Sequence, residues 1–403
     1  MGAGLSEAAW TPLQIVPQSL AFTVLLGVFA ALPAVSIDVS APTLAIIPQA
    51  LGTSTTVASL TLSLFMVGFA IGQLGGGRLS DRVGRRPVLL AGLTSYTLAS
   101  IACASSASGS ALVAARFAQG IGAGACSVLS FAMVQDLFEG EAARAKRSYV
   151  TVVFGIVPML APAIGSFLAH IGGWRAIHAV LAAAGGLLMV IATIGLQESR
   201  RASTAESASS GPTQRRRLTD DPGFLAIAAA NALSYAAIFA YIAGSPIVMI
   251  AVMGLSSAAF AAVFACTAAA LTAGAWTNGR LGRHGVGSTA VLGPALAVAG
   301  GAASALALAG LAGLTSGLIL LPLLLLTMFA RGMVAPNLQH LAIERQADQA
   351  GAASAAVGVS QLLCGAIASA AVGLCLPDHG VSAVAVPMAA LAVGALVLWS
   401  RTR

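Results

Sequence analysis

The feature that most constrains this chain is a series of apolar runs, each of 18 or more residues, that recur from end to end. At 1.5 Å of rise per residue, a helix of that length crosses a hydrocarbon core of about 30 Å. Reading along the chain gives about twelve such spans: 17–41, 56–77, 88–106, 110–135, 148–169, 175–196, 222–250, 256–277, 286–309, 314–338, 351–375 and 381–400. Backbone polar groups find no water in lipid, so each span has to satisfy them internally as a helix. Charged residues make up 8% of the chain, against roughly 25% in a soluble domain. The expected fold class is an all-α membrane protein of about twelve transmembrane helices.

The formal net charge of +7 would suit a nucleic-acid binder if it were pooled, but it is spread in a different way. Arg78, Arg82, Arg85 and Arg86 follow span 2, and Arg144, Lys146 and Arg147 follow span 4. Arg200, Arg201, Arg215, Arg216 and Arg217 follow span 6; Arg280 and Arg283 follow span 8; Arg345 follows span 10; Arg401 and Arg403 end the chain. If the spans alternate in direction, all of these lie on one side, and Arg175 alone lies on the other. Loops rich in Lys and Arg stay in the cytoplasm, so both termini are expected there, in a multi-pass protein of the inner membrane. The expected macromolecular surroundings are the lipid bilayer and no nucleic acid. The first dozen residues hold no Lys or Arg, so no cleavable signal peptide with a basic leader is expected. The five cysteines lie scattered through apolar spans without metal-ligand spacing. They read as packing residues, and neither a metal nor a cofactor is expected.

One stretch breaks the apolar pattern. Residues Glu198 to Pro222 are rich in Ser, Thr and Arg and read as a flexible linker with six spans on either side. The expected organisation is a cytoplasmic tail (1–16), an N-terminal six-helix half (17–196), a cytoplasmic linker (197–221), a C-terminal six-helix half (222–400) and a short tail (401–403). Gly77-Arg78-Leu79 after span 2 is repeated as Gly279-Arg280-Leu281 after span 8, the matching helix of the second half. Internal duplication with a site near the midplane between the repeats is a transporter signature. Gly120 and Gly124 in span 4 form a GxxxG pair, expected as a helix contact.

Asp38 is the most informative single residue. It stands in Pro17–Pro48, a run otherwise free of charge. An acid at membrane depth is expensive and marks an ion or substrate pathway. The competing reading, suggested by Pro33 and Pro42, is a helix that ends early and leaves Asp38 in a solvated loop. Arg116 lies about six residues inside span 4, at a depth that Asp38 could share. It reads either as a side chain snorkelling to the outer interface or as a cavity cation that regulates the charge on Asp38. A nearby guanidinium favours the ionised acid and burial favours the protonated one, so a change in their separation would load and unload a proton. Gln119 falls on the same helical face as Arg116. Asn231, Tyr241 and Ser245 in span 7, with Phe65 and Met66 in span 2, are candidate substrate contacts. Arg331 in span 10 is either a membrane anchor or a cavity residue. The five histidines lie near span ends or in loops, so no histidine proton relay is expected.

The segment Gly72 to Pro87, GQLGGGRLSDRVGRRP, reads as the loop after span 2. Gly77 and Gly84 permit a tight reversal there. Asp81 can pair with a nearby arginine or cap the next helix, and Arg82, Arg85 and Arg86 can anchor the loop at an anionic leaflet. Gly77, Asp81, Arg82, Gly84, Arg85 and Arg86 resemble the signature of the major facilitator superfamily between helices 2 and 3. That resemblance implies two pseudo-symmetric six-helix halves, a monomer, and a conformational latch in which Asp81 holds the cytoplasmic side closed in one state. Further stretches resemble the drug:proton antiporter group, most of all its Bcr/CflA-type (bicyclomycin and chloramphenicol resistance) branch. They are Ser36–Leu51, Arg116–Phe138, Pro158–Ile177, Phe239–Val248 and the run from Ala335 into span 11. By this resemblance Pro158, Pro162 and Gly165 form the antiporter motif of helix 5. Gln135 departs from the pattern, which has Arg before the acid that is Asp136 here.

The expected function is proton-coupled efflux of small hydrophobic molecules by alternating access, with antibiotic resistance as its outcome and Asp38 and Arg116 as the proton-coupling pair. Small-molecule cargo and protons are the expected partners. The alternatives are an exporter of a metabolite (sugar, nucleoside or amino acid) and a proton symporter. An enzyme is not expected, because the spans hold no nucleophile–base or metal-ligand set at depth and no phosphate-cradling G-x-x-x-x-G-K-[ST] loop. A non-transporting sensor would have no use for the proton site and latch.

Overall fold

The computed structural model describes residues 14–199, 218–314 and 316–402, with the side chains of residues 144, 152–158 and 377–379 outside that description. Twelve long helices run through the described residues. They are α1 Leu20–Asp38, α2 Thr55–Val83, α3 Arg85–Ala104 and α4 Gly109–Leu137. A helical stretch Gly140–Gly195 follows, broken by non-helical backbone at Gly172 and Gly173 into α5 (140–171) and α6 (174–195). Gly173 has φ 67°, a left-handed value open to glycine, and this turns one pass into the next. The second half comprises α7 Pro222–Pro246, α8 Ser257–Arg283, α9 Ser288–Leu311, α10 Gly317–Glu344, α11 Ala350–His379 and α12 Ser382–Ser400. Helix starts are set locally. Ser54, Ser108 and Ser256 each accept a backbone N–H from the first turn of α2, α4 and α8, satisfying a donor that the helix cannot.

Span 2 needs a correction at its end. The apolar run stops near residue 77, but α2 continues to Val83. Gly77, Asp81 and Arg82 therefore lie in the last two turns of a helix and not in a loop. The reversal rests on Gly84 alone, with φ 106°. Arg, Leu and Ser after Gly77 keep helical geometry, since a helix that has left the hydrocarbon core has no reason to stop there.

Helix pairing repeats on moving six helices along the chain. α2 packs on α4 as α8 packs on α10, and α3 packs on α4 as α9 packs on α10. α2 meets α11 across the two halves, and the α5–α6 stretch meets α8. The closest pairs are made by glycine. A Cβ at Gly68 or Gly72 would collide with the backbone of Phe117 or Ile121, and one at Gly120 or Gly124 with the backbone of Phe65 or Phe69. The same interlock recurs in the second half, with Gly274 against Phe329 and Gly332 against Leu271. Small residues let backbones approach where lipid offers no hydrophobic drive to bring helices together.

The two ends of the described chain, the start of α1 and the end of α12, lie on one side, here called the termini face. There Ile15 N–H donates to the Gly195 carbonyl at 2.9 Å, and Asp221 accepts from Arg345 Nε at 2.7 Å, joining the start of α7 to the end of α10. The contacts that join the halves lie toward the opposite, far face. Thr56 Oγ1 donates to the Gly373 carbonyl at 2.9 Å and Ser166 Oγ to the Ser257 carbonyl at 3.1 Å. The main apolar core runs across both halves and, in the first half, extends to the termini face through Phe22, Val88, Val134 and Leu196. At the termini face the second half closes on itself around Phe224, Leu292, Leu338 and Trp399.

Candidate functional site

α1 does end at Asp38, and a 3₁₀ turn, Ala41–Ala45, with Pro42 near its start, carries the chain on. The carboxyl group is nonetheless not solvated, for Asp38 is 5% exposed. Among the described residues its carboxylate makes no hydrogen bond or ion pair. α5 covers this end of α1: Gly165 sits against the Val39 carbonyl so closely that a Cβ would collide with it. Pro162, one turn away, is also buried. The side chain of Pro158 lies outside the described residues.

Arg116 is 3% exposed and does not snorkel. Its Nη1 donates to Gln119 Oε1 at 2.6 Å, and Gln119 Nε2 donates to Ser100 Oγ at 2.7 Å. The guanidinium lies 4.4 Å from the centroid of the Phe65 ring, a cation–π contact that partly replaces lost hydration. Tyr96 of α3 ties this network to α1 through a 2.7 Å hydrogen bond with Ser36. Arg116 borders a void of about 10 Å³ together with Ile37, Ser40, Leu62 and Ile242, room for about one water molecule. Ile37 and Ser40 flank Asp38, so the acid and the arginine lie at one depth. They do not pair: Arg116 turns to Gln119 and Phe65, while Asp38 stands on another side of α1. Met66, next to Phe65, points the other way, to Gly365 of α11 at the seam between the halves.

The second half contributes a different polar set. Arg331 is 3% exposed, and its Nε and Nη1 have no hydrogen-bond partner among protein groups. The anchor reading of this residue fails, since an anchor would reach an interface. Asn231 is fully buried with both amide atoms unpartnered. Tyr235, one turn along α7 from Asn231, stands within electrostatic range of both Arg331 and Asp38. Tyr241 and Ser245 lie farther toward the far face. Tyr241 shares a 3.3 Å hydrogen bond with Thr267, and Tyr241 and Ser245 border a cavity within the second half.

At the termini face Arg85 is the hub. Its Nη1 donates to Asp81 Oδ1 at 2.5 Å and to Ser80 Oγ at 2.7 Å, and its Nε donates to Asp136 Oδ2 at 2.8 Å. Gln135 is exposed, and Asp136 finds its cation on α3 without an arginine beside it. Arg86 Nη2 donates to the Thr193 carbonyl at 2.6 Å. Arg82 is exposed at the end of α2.

Three features were not read from the sequence. Glu198, assigned to the linker, accepts the backbone N–H groups of Arg85 at 2.8 Å and Arg86 at 3.1 Å, capping α3 in the role considered for Asp81. Lys146 Nζ clamps the start of α1, reaching Thr23 Oγ1 at 2.7 Å and the Gln18 carbonyl at 3.1 Å. Its counterpart in the second half is Arg345 on Asp221. His178 does lie near the start of α6, but it is buried, with Nδ1 unpartnered and its ring edge-on to Trp174.

The model of the family described as Major Facilitator Superfamily matches residues 20–369. The uncharacterized MFS-type transporter YdgK of Bacillus subtilis (strain 168) is 32% identical over 401 residues, covering 96% of each chain. A chloramphenicol resistance protein of Pseudomonas aeruginosa is 39% identical over 183 residues, 43% of this chain and 41% of its own. Among solved structures, a bacterial homolog of the human lysosomal transporter Spinster, in an inward-facing and occupied conformation, superposes with a TM-score of 0.74 at 15% identity. That likeness covers 96% of this chain and 97% of the other.

Proposed function

The chain belongs to the major facilitator superfamily and is a multi-pass membrane transporter, and from that premise we propose that it exports small hydrophobic compounds in exchange for protons. In this reading it is a drug:proton antiporter of the Bcr/CflA type, sited in the inner membrane with its termini face in the cytoplasm. The observation that carries the reading is Asp38: among the described residues it is the sole buried acid, it has no partner, and it lies level with a buried arginine held elsewhere. The partial match to a chloramphenicol resistance protein supports a drug as cargo.

The mechanism follows from charge. An unpaired carboxylate in a dry site bears the full cost of desolvation, and taking up a proton removes it. With the halves joined toward the far face, this reading has Asp38 exchange protons and cargo on the cytoplasmic side in this state. When the halves rock, the Arg116 side chain swings from Gln119 toward Asp38 within the first half, a rotamer change and not a movement of one helix against another, and the guanidinium drives the proton off to the outside. The halves (17–196 and 222–400) move as units, because the interlocked glycines make each one stiff. Asp81 holds the cytoplasmic side closed only in the other state; here it bonds Arg85 within its own half.

One titrating acid means one proton per cargo molecule. A potential of about 100 mV contributes roughly 2.3 kcal/mol per charge, and one pH unit adds about 1.36 kcal/mol. Neutral cargo can then be concentrated roughly 500-fold, at about 1.4 kcal/mol per tenfold. The test is export from proteoliposomes under an imposed pH gradient, an imposed potential, or both. Export should follow both gradients and lose that dependence in Asp38→Asn. Export that ignores both, or persists unchanged in the variant, would overturn the reading.

A further inference from the structure

Among the described residues, the buried carboxylates and guanidiniums are those of Asp38, Arg116 and Arg331. Arginine keeps its proton in proteins. The interior therefore holds two fixed cations against one acid, and no anion once Asp38 takes up a proton. Arg116 is satisfied by Gln119 and the Phe65 ring. Arg331 is not: it is 3% exposed, and its Nε and Nη1 bond no protein group. A buried charge without a partner is costly, and within a membrane it marks a substrate or ion pathway.

The neighbours of Arg331 belong to both halves. Tyr235 of α7 stands within electrostatic range of Arg331 on α10 and of Asp38 on α1. It is only half-buried, although it lies midway along α7. Its ring packs on Phe239 at 4.9 Å between centroids, and Phe239 borders Gly365 of α11 beside Met66 of α2. The open side of Tyr235 therefore faces the seam between the halves and not lipid. Asn231 lies one turn along α7 on the same helical face. It is fully buried, and neither Oδ1 nor Nδ2 has a partner. Unsatisfied buried polar groups are rare in folded proteins, and here two such side chains flank one aromatic pair at the seam.

We propose that Arg331, Asn231 and Tyr235 form the polar subsite for cargo, and that it selects an apolar body whose head group accepts hydrogen bonds, such as an amide, and rejects cations. The assignment rests on the export reading above. Arg331 donates to the head group, and a charge-assisted bond is the stronger kind. The Asn231 amide can both donate and accept, so it matches an amide head. The rings of Tyr235 and Phe239 take the apolar body. An ammonium head meets two guanidiniums and finds one acid. A carboxylate fits the same donors, but a second negative charge near Asp38 favours keeping the proton. Exchange for protons therefore selects the uncharged acceptor.

The experiment measures binding of tritiated 2-naphthamide to the full chain in nanodiscs of dioleoylphosphatidylcholine, with empty nanodiscs subtracted. Unlabelled 2-naphthylmethylammonium and 2-naphthoate compete for the site, and no gradient is imposed. The ammonium should bind at least tenfold more weakly than the amide. Arg331→Gln should weaken amide binding about tenfold, the worth of one charge-assisted bond, and Asn231→Leu about fivefold, the worth of an ordinary one. Arg331→Gln should also unfold no earlier than wild type, because it removes an unpaired buried charge. Amide affinity that neither variant changes would overturn the subsite, as would an ammonium that binds as tightly as the amide. An Arg331→Gln chain that unfolds earlier yet binds the amide normally would also overturn it, making Arg331 a structural counter-charge. The 2-naphthoate arm separates this proposal from the export reading. A carboxylate that binds through Arg331 and moves together with the proton supports the subsite and overturns the exchange.

Discussion

Arg85 holds two acids, and the structure predicts that they fail in different ways. Asp81 is 64% exposed at the side chain, and its bond to Arg85 is a single surface contact between residues four apart. Pairs of that kind contribute about 0.2–1 kcal/mol before screening by salt. Asp136 is 18% exposed and faces an arginine that is 13% exposed. It accepts two donors from the guanidinium, at 2.8 Å and 3.4 Å. Charge-assisted bonds in a partly dry site contribute about 1.5–3 kcal/mol. Asparagine keeps one acceptor oxygen, so Asp136→Asn should lower stability by about 1–2 kcal/mol, whereas Asp81→Asn should stay within about 0.5 kcal/mol of wild type. Transport should follow the opposite order if Asp81 acts in the other state of the cycle. Asp81→Asn then loses most of its transport from a fully folded population, and Asp136→Asn loses transport only in proportion to folded protein. Denaturant unfolding in micelles and uptake per folded molecule in proteoliposomes measure the two quantities. Equal destabilisation by the two variants would refute the reasoning from exposure, and normal transport by Asp81→Asn would refute its role as a latch.

Three further outcomes are expected. Gly72→Val should lower stability by about 1–3 kcal/mol, as overpacking does, because its side chain meets the Ile121 backbone. Gly75→Ala, with nothing within 4 Å, should be neutral or slightly stabilising in the same unfolding assay. The hydrogen bond from Arg345 holds the Asp221 carboxyl below its ordinary range, so its contribution to stability is full above that range and fades as pH falls through the lowered value. Asp221→Asn should flatten this acid-side decline, slightly, since the Arg345 side chain is 49% exposed. Finally, exchanging a monocation for one proton moves no net charge, so a potential imposed without a pH gradient should drive export of neutral cargo but not of a monocation.

Much of the fold was legible because lipid leaves few options. Hydropathy picked out the long apolar helices, and the repeated Gly-Arg-Leu suggested that they divide into two halves. Helix ends were harder to read, because they depend on caps and turns rather than on apolarity: α2 outlasts its apolar run by two turns and stops at Gly84. The candidate site was legible in content more than in pairing. Asp38 and Arg116 can be picked out as charges where charges are costly, but which partner each takes depends on facing across helices. Glu198 capping α3 from 113 residues away leaves no local trace. The burial of His178 and Arg331 is likewise a matter of what packs over them. The cavity beside Tyr241 has no sequence signal, since its walls come from five helices.

The far-face seam has one more consequence, for how it can come apart. Among the described residues it is fastened by two hydroxyl donors, Thr56 and Ser166, and by no ion pair. Each has somewhere else to turn. Ser166 lies within α5, where a serine can rotate to share the carbonyl one turn back. Thr56 is in the first turn of α2, where water is near. Each accepting carbonyl is part of a helix. Parting the halves at this face therefore strands no polar group in lipid, where an orphan would be worth several kcal/mol. A zipper of charges would have had to be rehydrated at every cycle. A pair of hydroxyls can let go, turn back on their own helices, and refasten.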